Sequence, residues 1–251
     1  MSNAVAHTEG HGHAPHHRAL QHHFDTMGQQ KEAAVIGMWV FLLTEILFFG
    51  GLFVAYLLYR TWYFEAFAEA SRTLVIFWGA LNTAVLIGSS LTMAMAVRSA
   101  QTNRRTATVN WLILTMLLGA VFLGVKVIEY ADKFEHHHVP GPSFVWAHEG
   151  EAAPGGAEAG PGAHAATAMS PDQLQRTTQI YFSLYFVMTG LHALHMIVGI
   201  VLMTVITWMA WKGKFDAEYY TPVEMSGLYW HFVDIVWIFL FPLLYLVERH
   251  T

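Results

Sequence analysis

The chain is predicted to be an all-α membrane protein, a bundle of five transmembrane helices. Of its 251 residues, 55% are hydrophobic and only 12% are charged, whereas soluble domains average about 25% charged residues. Most charges lie outside five apolar segments, each long enough to cross a bilayer, which requires about 20 residues. Isolated strands cannot satisfy their backbone polar groups in lipid, so each segment is expected to be a helix.

The five helices are predicted near residues 33–59, 73–98, 107–131, 178–211 and 223–247. The second is the clearest, because no charged residue lies between Arg72 and Arg98. The fourth is longer than a bilayer requires and is expected to tilt or to project beyond it. Small residues at four-residue steps, such as Ala80, Ala84 and Gly88, or Ala120 and Gly124, predict close packing between helices.

Residues 32–250 are assigned to one membrane domain, preceded by a polar tail over residues 1–31. The tail carries seven histidines: His7, His11, His13, His16, His17, His22 and His23. Weak Zn²⁺ or Cu²⁺ binding and pH sensing are both compatible with them, but their irregular spacing favours a solvated, passive tail. The loop over 132–176 lies outside the bilayer. Its middle, 147–170, is rich in Ala, Gly and Pro and is predicted to be flexible.

Composition also excludes several classes of function. The absence of cysteine rules out disulfides, thiolate metal sites and cysteine nucleophiles. The net charge of −5 argues against a nucleic-acid partner. The tail lacks the apolar core of a cleavable signal peptide, so the first membrane helix is expected to direct insertion.

The distribution of Lys and Arg predicts a cytoplasmic N-terminus and an external C-terminus. With that orientation seven basic residues lie inside and five outside. The compact loop with Arg98, Arg104 and Arg105 carries most of this bias.

Polar residues within the apolar segments are the candidate functional residues, because hydrocarbon accepts an ionisable side chain only at a cost of roughly 2.5–3.5 kcal/mol. Glu45 lies near the middle of the first helix. Two interpretations of Glu45 are equally compatible with this position: its carboxyl group forms an interhelical hydrogen bond, or it belongs to a proton-linked or lipid-linked site. Asn82 and Thr83 in the second helix are interpreted as interhelical hydrogen-bonding groups. Lys126 and Glu129 in the third are predicted to form an ion pair, since they are three residues apart.

The fourth and fifth helices each carry a polar pair at three-residue spacing. His192 and His195 could bracket a metal ion, but two ligands do not make a site, and hydrogen bonding to neighbouring helices is the favoured interpretation. His231 and Asp234 are predicted to hydrogen-bond each other. The polar faces of the fourth and fifth helices are expected to lie opposite each other. No catalytic, cofactor-binding or metal-ligating residue is assigned. All seven candidates, Glu45, Asn82, Glu129, His192, His195, His231 and Asp234, are assigned to structural, lipid or subunit contacts.

Five motifs in order carry a resemblance to a known family. They are Gly37-Met-Trp-Val-Phe-Leu-Leu-Thr-Glu45, Leu81-Asn82-Thr83, Glu129-Tyr130, Thr189-Gly190-Leu-His192-Ala-Leu-His195, and Tyr229-Trp230-His231-Phe232-Val233-Asp234. Over roughly residues 30–248 the chain resembles subunit III of the haem–copper terminal oxidases, of the cytochrome c oxidase type and in the five-helix bacterial form.

The resemblance implies a subunit without a redox centre, in the cytoplasmic membrane of a bacterium. Haem and copper would lie in partner subunits. The chain would pack directly on subunit I, beside subunit II and other oxidase subunits, bind phospholipid, and support proton uptake and durability of an oxidase that reduces O₂ to water and pumps protons. The family's mid-membrane carboxylate falls on Glu45. Alternatives are a quinol oxidase subunit III, an accessory protein of nitric oxide reductase, a proton-coupled transporter or channel, and a haem-carrying membrane protein.

Overall fold

The computed structural model describes residues 18–135, 139–141 and 170–246, and within them six α-helices and no strand. The helices are α1 (Met27–Trp62), α2 (Phe64–Arg72), α3 (Ile76–Gln101), α4 (Arg105–Glu135), α5 (Pro171–Trp211) and α6 (Thr221–Phe241), and α6 continues as a π-helical turn, Pro242–Leu246. All except α2 are long and apolar enough to cross a membrane. The predicted all-α fold with five transmembrane helices is thereby confirmed. Most of the histidine tail and the Ala/Gly/Pro-rich segment lie outside the described residues.

Helix α2 was not among the predicted elements. Its nine residues are too few to cross a bilayer, and its apolar residues occupy one face. Ala66, Phe67 and Ala70 are buried, and the helix packs against α5. A short amphipathic helix between two spanning ones is therefore part of the core rather than a loop.

Four helices form the core of the bundle. Neighbouring pairs pack in a ring, α3 on α4, α4 on α5, α5 on α6 and α6 on α3. Helix α1 lies outside this ring, along α6 and α5. It buries Leu42, Phe49 and Tyr56, which follow one another at seven-residue steps and so form one narrow stripe on the helix. Met38, Leu52 and Phe53 pack partly against the core beside this stripe, and most other large apolar side chains of α1 are exposed.

The closest helix approaches are made at glycines that face tryptophan or phenylalanine rings. The ring of Trp230 lies between Gly119 of α4 and Gly199 of α5, and a Cβ atom at either glycine would come within 2.8 or 2.9 Å of it. The predicted small-residue ridges of α3 and α4 are largely unused within the described part of the chain. Ala80 and Ala84 are exposed, and nothing lies within 4 Å of a Cβ atom at Gly88 or Gly124; Ala96, the last residue predicted for the α3 ridge, is buried. Helices that are apolar all round do not reveal from spacing alone which face is inside.

The end of α6 is shaped by Pro242. Proline has no backbone N–H to donate, and the chain continues from it as a π-helical turn. Tyr56 and Tyr181 donate their hydroxyl protons to the carbonyl oxygens of Leu243 and Leu244, at 3.1 and 3.3 Å. These bonds satisfy backbone groups that lipid would leave without a partner, and they tie α1 and α5 to the end of α6.

Candidate functional site: polar groups within the helix bundle

The most extensive polar cluster joins α4 to the π-helical turn. Lys126 Nζ lies 2.7 Å from Glu129 Oε2 and donates to the Tyr245 hydroxyl at 2.8 Å. Tyr245 in turn donates to Glu129 Oε1. All three side chains are buried. The predicted ion pair is confirmed, and both carboxylate oxygens of Glu129 have a donor.

Aromatic rings complete the surroundings of the Lys126 ammonium group. It lies 4.5 Å from the centre of the Trp237 ring, 5.3 Å from that of Tyr245 and 5.7 Å from that of Tyr185. The negative faces of such rings attract a cation. A buried charge is tolerated when it is paired and hydrogen-bonded, as Lys126 is by Glu129 and Tyr245, whereas the buried Tyr185 hydroxyl has no hydrogen-bond partner among the described residues.

A second polar contact joins α1 to α5. Glu45 Oε2 lies 3.1 Å from His195 Nε2, and the other ring nitrogen of His195 is 2.8 Å from the carbonyl oxygen of Leu191. Tyr229 of α6 donates to the carbonyl oxygen of His195 at 3.0 Å. The Glu45 and His195 side chains are 20% and 18% exposed, so the contact lies at the edge of the bundle.

The donors and acceptors available at His195 and Glu45 determine how many protons this contact contains. A carbonyl oxygen only accepts, so His195 Nδ1 must carry a proton toward Leu191. The contact between Nε2 and Glu45 then needs one further proton, held by the carboxyl group or by the imidazole. In either form the pair has no net charge, which is the state that a hydrocarbon environment tolerates.

The third contact is not the predicted one. His231 Nδ1 lies 2.6 Å from the hydroxyl of Ser90 on α3, and neither oxygen of the Asp234 carboxyl group has a hydrogen-bond partner among the described residues. The predicted bond between His231 and Asp234 is therefore wrong. Spacing places both side chains on one face of α6, but His231 meets the hydroxyl of Ser90 on α3 instead.

Asn82 and His192 are buried without hydrogen bonds among the described residues. The interhelical hydrogen bond predicted for Thr83 is confirmed, because Thr83 accepts from Trp237 Nε1 at 3.1 Å, whereas the bond predicted for Asn82 is not found. The His192 ring packs against Phe122 and Trp237, with ring centres 5.4 and 5.3 Å away.

The two histidines of α5 have different neighbours. His192 contacts aromatic rings of α4 and α6, whereas His195 contacts Glu45 of α1. The described residues contain no group of three or more His, Asp or Glu side chains placed to hold a metal ion. The opposed polar faces predicted for α5 and α6 are not found, because His195 of α5 contacts Glu45 of α1 and His231 of α6 contacts Ser90 of α3.

Sequence reasoning missed Ser90 and Tyr245. The Ser89-Ser90 pair interrupts an apolar run, and this was the available signal: Ser89 accepts from Trp230 Nε1 at 2.9 Å, while Ser90 meets His231. Tyr245 carried no such signal, because the π-helical turn after Pro242 sets its direction.

Comparison with known proteins identifies the family of the chain. The family model of cytochrome c oxidase subunit III matches residues 171–248. Cytochrome c oxidase subunit 3 of Thermostichus vulcanus is 31% identical over 226 residues, which are 90% of the chain and 92% of that relative. The chain belongs to the cytochrome c oxidase subunit III family.

Members of this family named for another electron donor are also similar to the chain. Cytochrome bo(3) ubiquinol oxidase subunit 3 of Pseudomonas aeruginosa is 28% identical over 246 residues, 97% of the chain and 94% of that protein. Quinol oxidase subunit 3 of Bacillus subtilis is 28% identical over 218 residues, 85% and 86% of the two chains. The resemblance seen in the five motifs is confirmed: the chain is a multi-pass membrane protein and a subunit III of the haem–copper oxidase family.

Proposed function

We propose that the chain packs directly on subunit I of a respiratory oxidase and carries no redox centre of its own. The haem and copper groups that reduce O₂ to water reside in partner subunits. The chain contributes architecture, phospholipid sites and support of proton uptake, and it prolongs the working life of the enzyme.

The contacts made by the three membrane histidines are the main support for this proposal. Among the described residues, His192 packs between aromatic rings, His195 bonds to Glu45 and Leu191, and His231 bonds to Ser90. Imidazoles engaged in this way hold helices together. Such contacts support an assembly role for this chain within the oxidase.

Two features of α1 support contact with lipid and with a neighbouring subunit. Most of its large apolar side chains are exposed, and the Glu45–His195 pair opens at the same edge. An apolar groove of about 430 Å³ lies between α1 and α6, with Leu42, Phe49 and Phe239 in its walls. An apolar groove of this volume suits a phospholipid acyl chain.

Deletion of the chain from its host tests this function. The purified oxidase should keep its haem spectrum and its initial turnover, because the redox centres are elsewhere. Proton uptake should weaken, and activity should be lost sooner during sustained turnover. Loss of haem with a normal lifetime of the remaining enzyme would contradict the proposal.

For the electron donor we propose cytochrome c. A relative named for cytochrome c oxidase is 31% identical to the chain, and others of that name are 28% identical, as are those named for quinol oxidases. The purified complex should oxidise reduced cytochrome c; oxidation of ubiquinol alone would place the chain in a quinol oxidase.

For the location we propose the cytoplasmic membrane of a bacterium, with the N-terminus inside and the C-terminus outside. The Arg98, Arg104 and Arg105 region links α3 to α4 and would then face the cytoplasm, as the positive-inside rule expects. Alkaline phosphatase fused after Thr251 should be active, and the same enzyme fused after Gln101 should be inactive. The reverse pattern would overturn the orientation.

A further inference from the structure

Helices α3 and α5 end in the same backbone arrangement, and the first instance is at the end of α3. Asn103 has a φ of 55° and donates its N–H to the carbonyl oxygen of Ala100 at 3.0 Å. The next residue, Arg104, donates its N–H to the carbonyl oxygen of Ser99 at 2.9 Å. This pair of bonds defines a Schellman motif, and it sets the direction in which the chain leaves α3.

The end of α5 repeats the motif. Gly213 has a φ of 68° and donates its N–H to the carbonyl oxygen of Ala210 at 2.9 Å. Lys214 donates its N–H to the carbonyl oxygen of Met209 at 3.1 Å. Both motifs thus place a basic residue directly after the residue with positive φ, and backbone hydrogen bonds fix the position of each.

The two motifs meet at one end of the bundle. A Cβ atom at Gly213 would lie 3.3 Å from Nη1 of Arg105, so the Arg105 guanidinium group lies beside the short segment that contains Lys212 and Lys214. A small cleft between the loops is lined by residues of both. Four exposed residues, Arg104, Arg105, Lys212 and Lys214, therefore form one basic surface.

The described residues leave the basic surface without a neutralising charge. None of its four side chains forms an ion pair with a described residue. The acidic residue nearest to Lys214 in the sequence is Asp216, and its Oδ1 accepts the N–H groups of Glu218 and Tyr219 at 2.9 and 2.7 Å. Positive charges concentrated at one place attract an anionic ligand.

Two tryptophan rings place the basic surface at the level of lipid headgroups. Trp208 and Trp211 are 53% and 61% exposed near the end of α5, and exposed tryptophan is typical of the membrane–water interface. Lys212 Nζ lies 5.7 Å from the centres of both rings, and Lys214 Nζ lies 5.7 Å from that of Trp208. The two ammonium groups therefore lie beside the interfacial rings.

We propose that the basic surface binds the headgroup of an anionic phospholipid in the cytoplasmic leaflet. The inference rests on the proposed function and orientation, because it locates one phospholipid site of a chain that contributes such sites. Anionic lipids of that leaflet attract Lys and Arg residues next to membrane helices. The tryptophan rings favour a lipid over a soluble phosphate, and its acyl chains pack against Val201 and Val205, which α5 exposes before Trp208.

Titration of the purified oxidase with phosphatidylglycerol, followed by native mass spectrometry, tests the proposal. The site variant combines Arg105→Gln with Lys214→Gln. Its Kd for one lipid should rise about tenfold or more, so it should carry one lipid fewer than the unaltered complex at a concentration that fills the latter. An unchanged number of bound lipids would overturn the proposal.

A charge-matched control separates this site from general electrostatic attraction. Arg72→Gln with Arg176→Gln removes the same charge from two exposed positions, and Arg176 lies near the start of α5, at the other end from Lys214. This control should keep the full number of phosphatidylglycerol molecules. Equal losses in the control and in the site variant would overturn the proposal.

A charge-preserving variant and a neutral lipid exclude misfolding as the cause of a loss. Arg105→Lys with Lys214→Arg keeps both charges and should retain the lipid. Phosphatidylcholine should bind equally to all variants, because its headgroup has no net charge. Loss of phosphatidylglycerol from the charge-preserving variant, or a parallel loss of phosphatidylcholine from the site variant, would contradict the proposal.

Two further measurements identify the source of the anion. Inorganic phosphate at millimolar concentration should leave the bound phosphatidylglycerol in place, and displacement would indicate a site for soluble phosphate. A carbodiimide, which joins amines to carboxylates in contact, should not link Lys212 or Lys214 to another subunit in native membranes. Such a link would show that an acidic protein segment, and not a lipid, occupies the surface.

Failure of the inference can be told apart from failure of the proposed function. If the chain co-purifies with a haem-containing oxidase but the site variant keeps its full number of lipids, the lipid site fails and the function stands. If lipid retention depends on the basic surface but the chain does not co-purify with haem proteins, the proposed function fails.

Discussion

Glu129 on α4 and Asp234 on α6 are both carboxyl groups buried within membrane helices, but their surroundings are opposite. Both oxygens of Glu129 accept hydrogen bonds, from Lys126 and from Tyr245. Neither oxygen of Asp234 has a partner among the described residues. Side chains of the described residues satisfy Glu129, whereas they enclose the Asp234 carboxyl group beside Ser90 without a hydrogen bond of ordinary geometry.

The difference separates two uses of polar groups in a membrane subunit. A closed cluster fixes the register of helices within one chain, and removing one member leaves an uncompensated charge. A buried carboxyl group that makes no such bonds costs free energy, and removing it leaves no opposite charge behind without a partner.

Lys126→Met should have the largest effect on the chain itself. It leaves Glu129 buried without its cation, and breaking one side of a buried pair costs about 3–5 kcal/mol. The free energy of unfolding in mixed micelles is the measurement. Lys212→Met is the control, because Lys212 lies at the exposed end of α5 and contacts only the faces of Trp208 and Trp211. Equal stability of the two variants would show that the cluster is not closed.

Gly119→Ala should have the next largest effect. The added Cβ would lie 2.8 Å from the Trp230 ring, and overpacking of this kind costs about 1–3 kcal/mol. Gly124→Ala on the same helix is the matched control, because nothing lies within 4 Å of its Cβ position. It should stabilise the helix by up to about 1 kcal/mol. Thermal unfolding midpoints that move in the same direction would count against the described packing.

Glu45→Leu should have the smallest effect on stability. It removes one interhelical hydrogen bond at a partly exposed edge, worth about 0.6–1.7 kcal/mol. Glu45→Gln should restore most of the loss, because an amide N–H can donate to His195 Nε2 while Leu191 keeps its own bond. Denaturant titration of both variants is the check; a Gln variant as unstable as the Leu variant would exclude this proton arrangement.

The fold was largely predictable because its dominant signal is local. Apolar length and the near absence of charge identify a spanning helix without knowledge of its neighbours. Helix α2 escaped prediction because nine amphipathic residues resemble a loop when only bilayer-length segments are sought. The inner face of α3 also escaped, because a helix with apolar residues all round carries little information on which side is buried.

The polar contacts were predictable only within one helix. The spacing of Lys126 and Glu129 correctly indicated an ion pair, but Tyr245, 116 residues beyond Glu129, could not be inferred. The same spacing rule failed for His231 and Asp234. It identifies side chains that share a face, but it does not weigh a partner on another helix, and the hydroxyl of Ser90 lies at the better distance for His231.

The most direct test of the central distinction compares Glu129→Leu with Asp234→Leu in native membranes. Two quantities are measured for each variant: the amount of protease-resistant chain, and the fraction of that chain that co-purifies with the oxidase. Glu129→Leu should reduce the amount of folded chain. Asp234→Leu should leave both quantities nearly unchanged, because it removes a carboxyl group that has no cation to leave behind. An equal loss of folded chain in the two variants would contradict the account.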